Sequence, residues 1–373
     1  MSRIHFYTAG ESHGKGLVAI VDGMVAGLPL QAGYINHELK RRQQGYGRGP
    51  RMQIEGDKVD IISGVRYGLT IGSPIALLVE NRDWQNWQET LSVSPVDKEA
   101  QPITRPRPGH ADMAGVIKYG FSDIRPIIER ASARETTMRV AAGAIARRFL
   151  EQFGIEIHSH TIGIGTVCME GNGGIDWSCV EESPVRCSDV GVGIAMMAEI
   201  DKARAEGDTL GGIFQLVAIG VPIGLGSHVS WDRKLDGRIA RAIMSINAVK
   251  GIEFGSGFAF ARIKGSQAHG AIEPSLTGEG LPWRHSSNYA GGIEGGMSNG
   301  EAILLQAVIK PIATLSNPLP SVDLRNGESG KAHYERSDVC VVPAAGVIGE
   351  AMLALVLADA LLEKFGGDSL KEI

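Results

Sequence analysis

The stretch Ser132-Ala133-Arg134-Glu135-Thr136-Thr137-Met138-Arg139-Val140-Ala141-Ala142-Gly143-Ala144-Ile145 reads as a helix start running into a helix. Ser132 and Glu135 have the spacing of a capping box, in which hydroxyl and carboxylate each satisfy an orphan backbone N–H. Met138, Ala141, Ala142, Ile145 and Phe149 then share one face, and Gly154 supplies the stop. Upstream, residues 4–8 and 17–21 read as short strands about the turn Gly10-Glu11-Ser12-His13-Gly14, and 75–79 as a buried strand. A helix is expected over 36–44, broken by Gly45-Tyr46-Gly47-Arg48-Gly49-Pro50-Arg51. Downstream, 160–230 reads as short strands with glycine turns, 235–246 as a helix with Ile239, Ile243 and Ile246 on one side, and 347–365 as a last helix. This mixture predicts an α/β (α+β) protein.

Composition bounds the rest. The chain has 373 residues, 37 Lys+Arg against 42 Asp+Glu, and a formal charge of −5. Mild acidity argues against a whole-surface nucleic-acid binder but leaves room for a local basic site. Fifty glycines, about 13% of the chain against roughly 7% in ordinary usage, point to tight turns and close backbone approaches. Cys168, Cys179, Cys187 and Cys340 form no C-x-x-C pair and are expected as scattered buried thiols, with no metal. The apolar stretch 339–362 carries Glu350 and Asp359 and suits a buried helix better than a membrane span. No signal-peptide pattern reads in the first thirty residues, so a cytoplasmic protein is expected. No linker interrupts residues 1–373, which predicts one domain. Gly23–Leu28 echoes Gly220–Leu225, and Gly64, Gly68 and Gly72 match the spacing of Gly292, Gly296 and Gly300. An internal duplication explains the echo, and so does chance in a glycine-rich chain.

The glycine motifs fail the common tests. Residues 10–14 fit G-x-S-x-G, yet only nine residues precede them, too few for the strands a hydrolase elbow needs. The same stretch has the wrong spacing for a P-loop, and no G-x-G-x-x-G opens a helix after a strand. The arginines say more. Arg42, Arg48 and Arg51 surround one loop, Arg105 and Arg107 precede Gly109-His110, Arg130 and Arg134 flank the helix start, and Arg336 precedes the last helix. Arg134 lies in a first helical turn, where the macrodipole disfavours a cation, so a bound anion is expected there. Together they suggest a small polyanionic ligand. His13 and His110, both in glycine turns, are candidates for general acid or base work, and His158-x-His160 lacks a third metal ligand. A non-catalytic RNA binder using the same arginines would interleave aromatics, and only Tyr46 qualifies.

Six motifs in order carry a resemblance that spans residues 4–355. They are Gly10-Glu11-Ser12-His13-Gly14, Gly45-Tyr46-Gly47-Arg48-Gly49, Arg107-Pro108-Gly109-His110, Glu129 to Thr136, Ser245-Ile246-Asn247-Ala248-Val249-Lys250-Gly251, and Arg336-Ser337-Asp338 through Gly346. The chain resembles the chorismate synthase family. The resemblance implies a shikimate-pathway lyase that converts 5-enolpyruvylshikimate 3-phosphate to chorismate by 1,4-trans elimination of phosphate. It implies reduced FMN (FMNH2) as cofactor, with NADPH as the reductant source. It implies that Arg42, Arg48, Arg51, Arg107, Arg134 and Arg336 surround the substrate. His13 would protonate the departing phosphate and His110 protonate or stabilise the flavin, while Asp338, with Ser132, would poise the flavin N5. The flavin would be held by Arg130, Ala131 and Ser132, by Asn247 and Ala248, by Gly295, by Lys310, Pro311, Ile312, Ala313 and Thr314, and by Arg336, and NADP would contact Arg42 and Arg48. The implied fold is a β-α-β sandwich, helices between antiparallel sheets, assembled as a homotetramer. No reductase module is recognisable, so a separate flavin reductase is the expected partner, with no nucleic acid and no membrane.

Overall fold

The computed structural model describes residues 3–49, 55–170, 174–275 and 282–373. In chain order the first part gives strands β1 (His5–Ala9) and β2 (Gly16–Asp22), helix α1 (Ala32–Gln43), β3 (Val59–Ile61), the hairpin β4 (Val65–Arg66) and β5 (Leu69–Thr70), and β6 (Ile75–Glu80). Helices α2 (Asp112–Tyr119) and α3 (Arg125–Ala131) follow, then α4 (Thr136–Glu151). The second part gives β7 (Glu156–Ile164), β8 (Val167–Cys168), α5 (Trp177–Glu182), α6 (Val190–Glu206), β9 (Gly212–Ile219), α7 (Leu235–Met244) and β10 (Val249–Phe254). Two small hairpins, β11 (Ile272–Pro274) with β12 (Trp283–His285) and β13 (Ile293–Glu294) with β14 (Met297–Ser298), precede β15 (Ile303–Ile309). A last hairpin, β16 (Pro320–Val322) with β17 (Ser329–Lys331), leads to α8 (Val342–Phe365).

Period-two patterning makes the sheets. In β2, Leu17, Ala19 and Val21 are fully buried, while Val18 and Ile20 face outward, and β6 repeats this with Ile75, Leu77 and Val79 inside. The first sheet has the order β1-β2-β6-β3 and the second β10-β15-β9-β7-β8, with every pairing antiparallel. Helix α4 touches β1, β2 and β6 of the first sheet and β7 of the second, and α8 rests on α4, β7 and β9. One apolar cluster runs through both sheets and these helices.

The echoed glycines occupy matching places. Gly23 and Gly27 follow β2 with φ of +84° and +86°, and Gly220 and Gly224 follow β9 with φ of +74° and +83°. Leu28 N–H donates to Thr70 Oγ1 (2.9 Å), which donates to Val25 O (2.6 Å). Leu225 N–H donates to Ser298 Oγ (2.8 Å), which donates to Pro222 O (2.6 Å). In each half the strand after the hairpin returns to pair with the strand before the helix.

Several expectations change. Ser132 Oγ does cap, accepting Arg134 N–H at 3.3 Å, but it starts a 3-10 turn, Ala133–Glu135, ahead of α4. Glu135 does not return to the Ser132 N–H, because Thr8 Oγ1 (2.8 Å) and Arg139 Nε (3.0 Å) both donate to its carboxylate. Residues 160–230 are not mainly strands: α5 and α6 lie there. Asp189 caps α6 by accepting Val192 N–H at 2.8 Å, and Gly207 ends it at φ +73°. Helix α8 begins at Val342, five residues before the expected start, with Pro343 in its first turn. It is long and apolar enough to cross a bilayer, yet it is buried in the core. Of the four thiols, Cys187 and Cys340 are buried, while Cys168 is exposed and Cys179 half-buried.

Candidate active site

A cleft of about 800 Å³ opens where loops from both sheets meet. Seven cationic side chains line it, Arg42, Arg48, Arg107, Arg134, Arg336, Lys250 and Lys310, against the carboxylates of Glu335 and Asp338. Ser12 and His13 come from the β1–β2 turn, Ala131, Ser132, Ala133 and Arg134 from the α3–α4 junction, Asn247 and Ala248 from the turn after α7, and Lys250 from the start of β10. Gly109, His110, Ile312, Ala313, Thr314 and Asp338 also line it, as do Gly49 and Trp87. Three candidates lie elsewhere. Arg130 turns to the first sheet, donating to Thr8 O (2.8 Å) and Gly10 O (3.0 Å). Gly295 occupies the β13–β14 turn with φ of +60° and is not part of the wall, nor is Pro311. Arg51 lies outside the described residues.

Both histidines are held by buried carboxylates. His13 Nδ1 stands 3.0 and 3.1 Å from the two Glu129 oxygens, and its backbone N–H donates to the same carboxylate at 2.8 Å. An acceptor on that side puts the proton on Nδ1 and leaves Nε2 for a bound group. Burial alone would raise the Glu129 pKa, but the hydrogen bonds and charge of His13 outweigh it and hold it below the usual carboxylate range. The His13 ring stacks on Trp87, with centroids 4.0 Å apart. His110 Nδ1 lies 2.5 Å from Asp112 Oδ1, closer than its 3.0 Å to Arg107 Nη2, so the same tautomer is assigned. Burial raises the Asp112 pKa, but bonds from His110 and Arg107 more than offset it and hold it far below the carboxylate range. Glu129 and Asp112 were missed as site residues. Asp112, two positions after His110, had a local signal; Glu129 opens the motif Glu129 to Thr136, but 116 residues from His13 nothing tied it to that histidine.

The cations differ in how they are balanced. Arg134 meets Asp57 at 3.0 Å and Glu55 at 3.4 Å. These protein carboxylates offset the cation at the helix start, so the argument for a bound anion at that point no longer holds. Arg42 donates to Thr136 Oγ1 (3.0 Å) and Ala133 O (2.9 Å). Burial, opposed by Asp57, draws its pKa down to about 10. Among the described residues its buried Nη1 has no hydrogen-bond partner. Asn247 donates to Ala131 O at 3.0 Å, and its buried Oδ1 is likewise unpartnered among the described residues. Asp338 accepts Gly49 N–H at 2.6 Å and pairs with Arg48 at 3.1 Å. Ser12 donates to Ser132 Oγ at 3.0 Å. Residues 10–14 join two antiparallel strands, not a strand and a helix, which removes the hydrolase-elbow reading. His158 stacks on Trp177 and His160 bonds Gln215 at 3.0 Å, away from the cleft.

The fold and site present two carboxylate-held histidines in a cleft lined mainly by cations, an arrangement suited to an enzyme of a small anionic molecule. Comparison with known proteins makes this specific. The family model described as chorismate synthase matches residues 4–362. The chain is 55% identical to the chorismate synthase of Moorella thermoacetica, covering 99% of this chain and 96% of that one. It is 54% identical to that of Solibacter usitatus, again covering 99% and 96%. A solved structure titled "Crystal Structure of Chorismate Synthase" superposes with a TM-score of 0.79 at 42% identity, covering 100% of this chain and 96% of the other. The chain belongs to the chorismate synthase family, carbon–oxygen lyases of the shikimate pathway.

Proposed function

We propose that the chain converts 5-enolpyruvylshikimate 3-phosphate to chorismate and phosphate by 1,4-trans elimination, with reduced FMN bound in the same cleft. One observation carries the reading: two carboxylate-held histidines share a cleft whose lining cations outnumber its carboxylates seven to two. In the reaction the C–O bond to phosphate breaks, a ring C–H proton leaves and a new double bond forms, with no net redox change. Arg42, Arg48, Arg107, Arg134 and Arg336 would hold the phosphate and two carboxylates, joined by Arg51 from outside the described residues. His13, as the imidazolium with Nδ1–H held by Glu129, would give the departing phosphate its Nε2 proton, and Asp338, which lies at the cleft wall bonded to Gly49 N–H and Arg48, would with Ser132 poise the flavin N5.

The residues present suit a flavin. Arg42 Nη1, 3.7 Å from Asp57 Oδ2 but without a hydrogen-bond partner among the described residues, and Asn247 Oδ1, likewise without one, offer a donor and an acceptor, and Lys310 offers a cation. When bound, reduced FMN supplies electron density and a basic N5 for removing the ring proton. Ala131, Ser132, Asn247, Ala248, Lys310, Ile312, Ala313, Thr314 and Arg336 would hold it, while Arg130 and Gly295 would act from outside the wall. Arg42 and Arg48 are also the NADP contacts in this reading, with reduced FMN fed by a separate reductase. Adding FMN to the purified protein with substrate present should change the flavin spectrum, and NADPH should not be consumed at the turnover rate. A flavin spectrum indifferent to the protein would remove the cofactor from the account.

The architecture reads as a single β-α-β sandwich domain built from a duplicated unit, supported by the matched strand orders and matched hydrogen bonds. Tyr7, Val18 and Ile20 on the outer face of the first sheet support a homotetramer, which we place in the cytoplasm.

A further inference from the structure

We propose that Lys250 joins Lys310 in a two-ammonium subsite for the phosphate monoester of a bound ligand. The proposal rests on the reading above, in which a flavin nucleotide and a phosphorylated substrate share the cleft. Backbone irregularity is the first sign. Val249 pairs with Ile309 and Gly251 with Val308, so Lys250 is the extra residue of a β-bulge, a device that re-aims a side chain. The residue before the bulged pair, Ala248, sits at φ +67°, where a residue with a Cβ is disfavoured. Ala248 O accepts Lys310 N–H at 2.9 Å, which ties the bulge to the strand end that carries the second lysine. Lys310 Nζ in turn donates to Gly109 O at 2.6 Å, and a Cβ on Gly109 would lie 3.3 Å from that nitrogen.

Charge balance is the second sign. Arg42, Arg48, Arg107, Arg134 and Arg336 each have a carboxylate within 4.0 Å. Among the described residues, Lys250 and Lys310 form no such ion pair. Burial first, and then the charge of Lys250, lower the Lys310 pKa, with no acidic group opposing them. Two like charges brought together on one wall call for a counter-anion, and a phosphate monoester, close to dianionic at neutral pH, matches two ammonium groups.

The test uses Lys250→Met and Lys250→Arg in the full chain. Flavin fluorescence quenching would compare FMN with riboflavin, and equilibrium dialysis would compare the phosphorylated substrate with its dephosphorylated analogue. Lys250→Met should weaken the phosphorylated member of one pair by about tenfold and spare its partner, with Lys250→Arg restoring most of the loss. A loss confined to FMN assigns the cofactor's phosphate, and a loss confined to the substrate assigns the substrate's. Unchanged affinities, or equal losses with and without phosphate in both pairs, would overturn the subsite. Wild-type protein that binds none of the four would instead overturn the parent reading of the cleft.

Discussion

At the scale of single residues, the cleft depends on side chains that sequence reading passed over. Glu129 and Asp112 touch no ligand in this account, yet each fixes which nitrogen of its histidine faces the cleft. His13→Ala should lower turnover by roughly 10²- to 10⁴-fold, the usual range for losing a general acid. Glu129→Gln should lower it by less, with an altered pH profile, because the acceptor remains while its charge is gone. The depressed Glu129 pKa also sets a sign for stability. Its contribution is present above the unfolded carboxylate pKa of about 4.3 and is lost as pH falls through the folded value. Thermal melts of wild type and Glu129→Gln should therefore differ at neutral pH and converge in acid. Identical melts at every pH, with an unchanged turnover profile, would reduce Glu129 to a bystander.

At the scale of elements, strands and glycine-bounded helices were legible, while the middle of the chain was not. The inward residues of β2 and β6 and the buried faces of α4 and α7 follow plain periodicity. Helix α6 hid because only Gly193, Met196, Ile200 and Ala203 are buried, whereas Val190 and Ile194 face outward and blur its apolar stripe. Its cap residues, Asp189 and Gly207, were the available signal. The glycine surplus has a packing cause as well as a turn cause. A Cβ on Gly143 of α4 would lie 2.4 Å from Ala351 Cβ of α8, so these helices cross in close contact. Gly143→Ala should cost about 1–3 kcal/mol through overpacking. A denaturant melt that leaves the midpoint unchanged would contradict that packing.

At the scale of the whole molecule, connections that leave both sheets converge on the cleft. The chain after α1 supplies Arg48 and Gly49, and the chain after α7 supplies Asn247 and Lys250. The chain after β6 supplies Trp87, and the chain after β15 supplies Lys310 and Thr314. The segments just before α4 and α8 supply Arg134 and Asp338. Most of this site was readable from its motifs, because arginines in glycine loops rarely serve a polar surface alone. What could not be read was which cations the protein neutralises itself: Asp57 and Glu55 beside Arg134 are remote in sequence. The proposed reaction in this cleft is elimination of phosphate from 5-enolpyruvylshikimate 3-phosphate on reduced FMN. The direct measurement is a single turnover, with oxygen excluded, of that substrate on protein carrying photoreduced FMN, following phosphate and chorismate together. The account predicts one phosphate and one chorismate per substrate, with the rate sharply lower in Asp338→Asn of unchanged melting temperature. Phosphate release without chorismate, or no reaction from folded protein that binds both ligands, would contradict it.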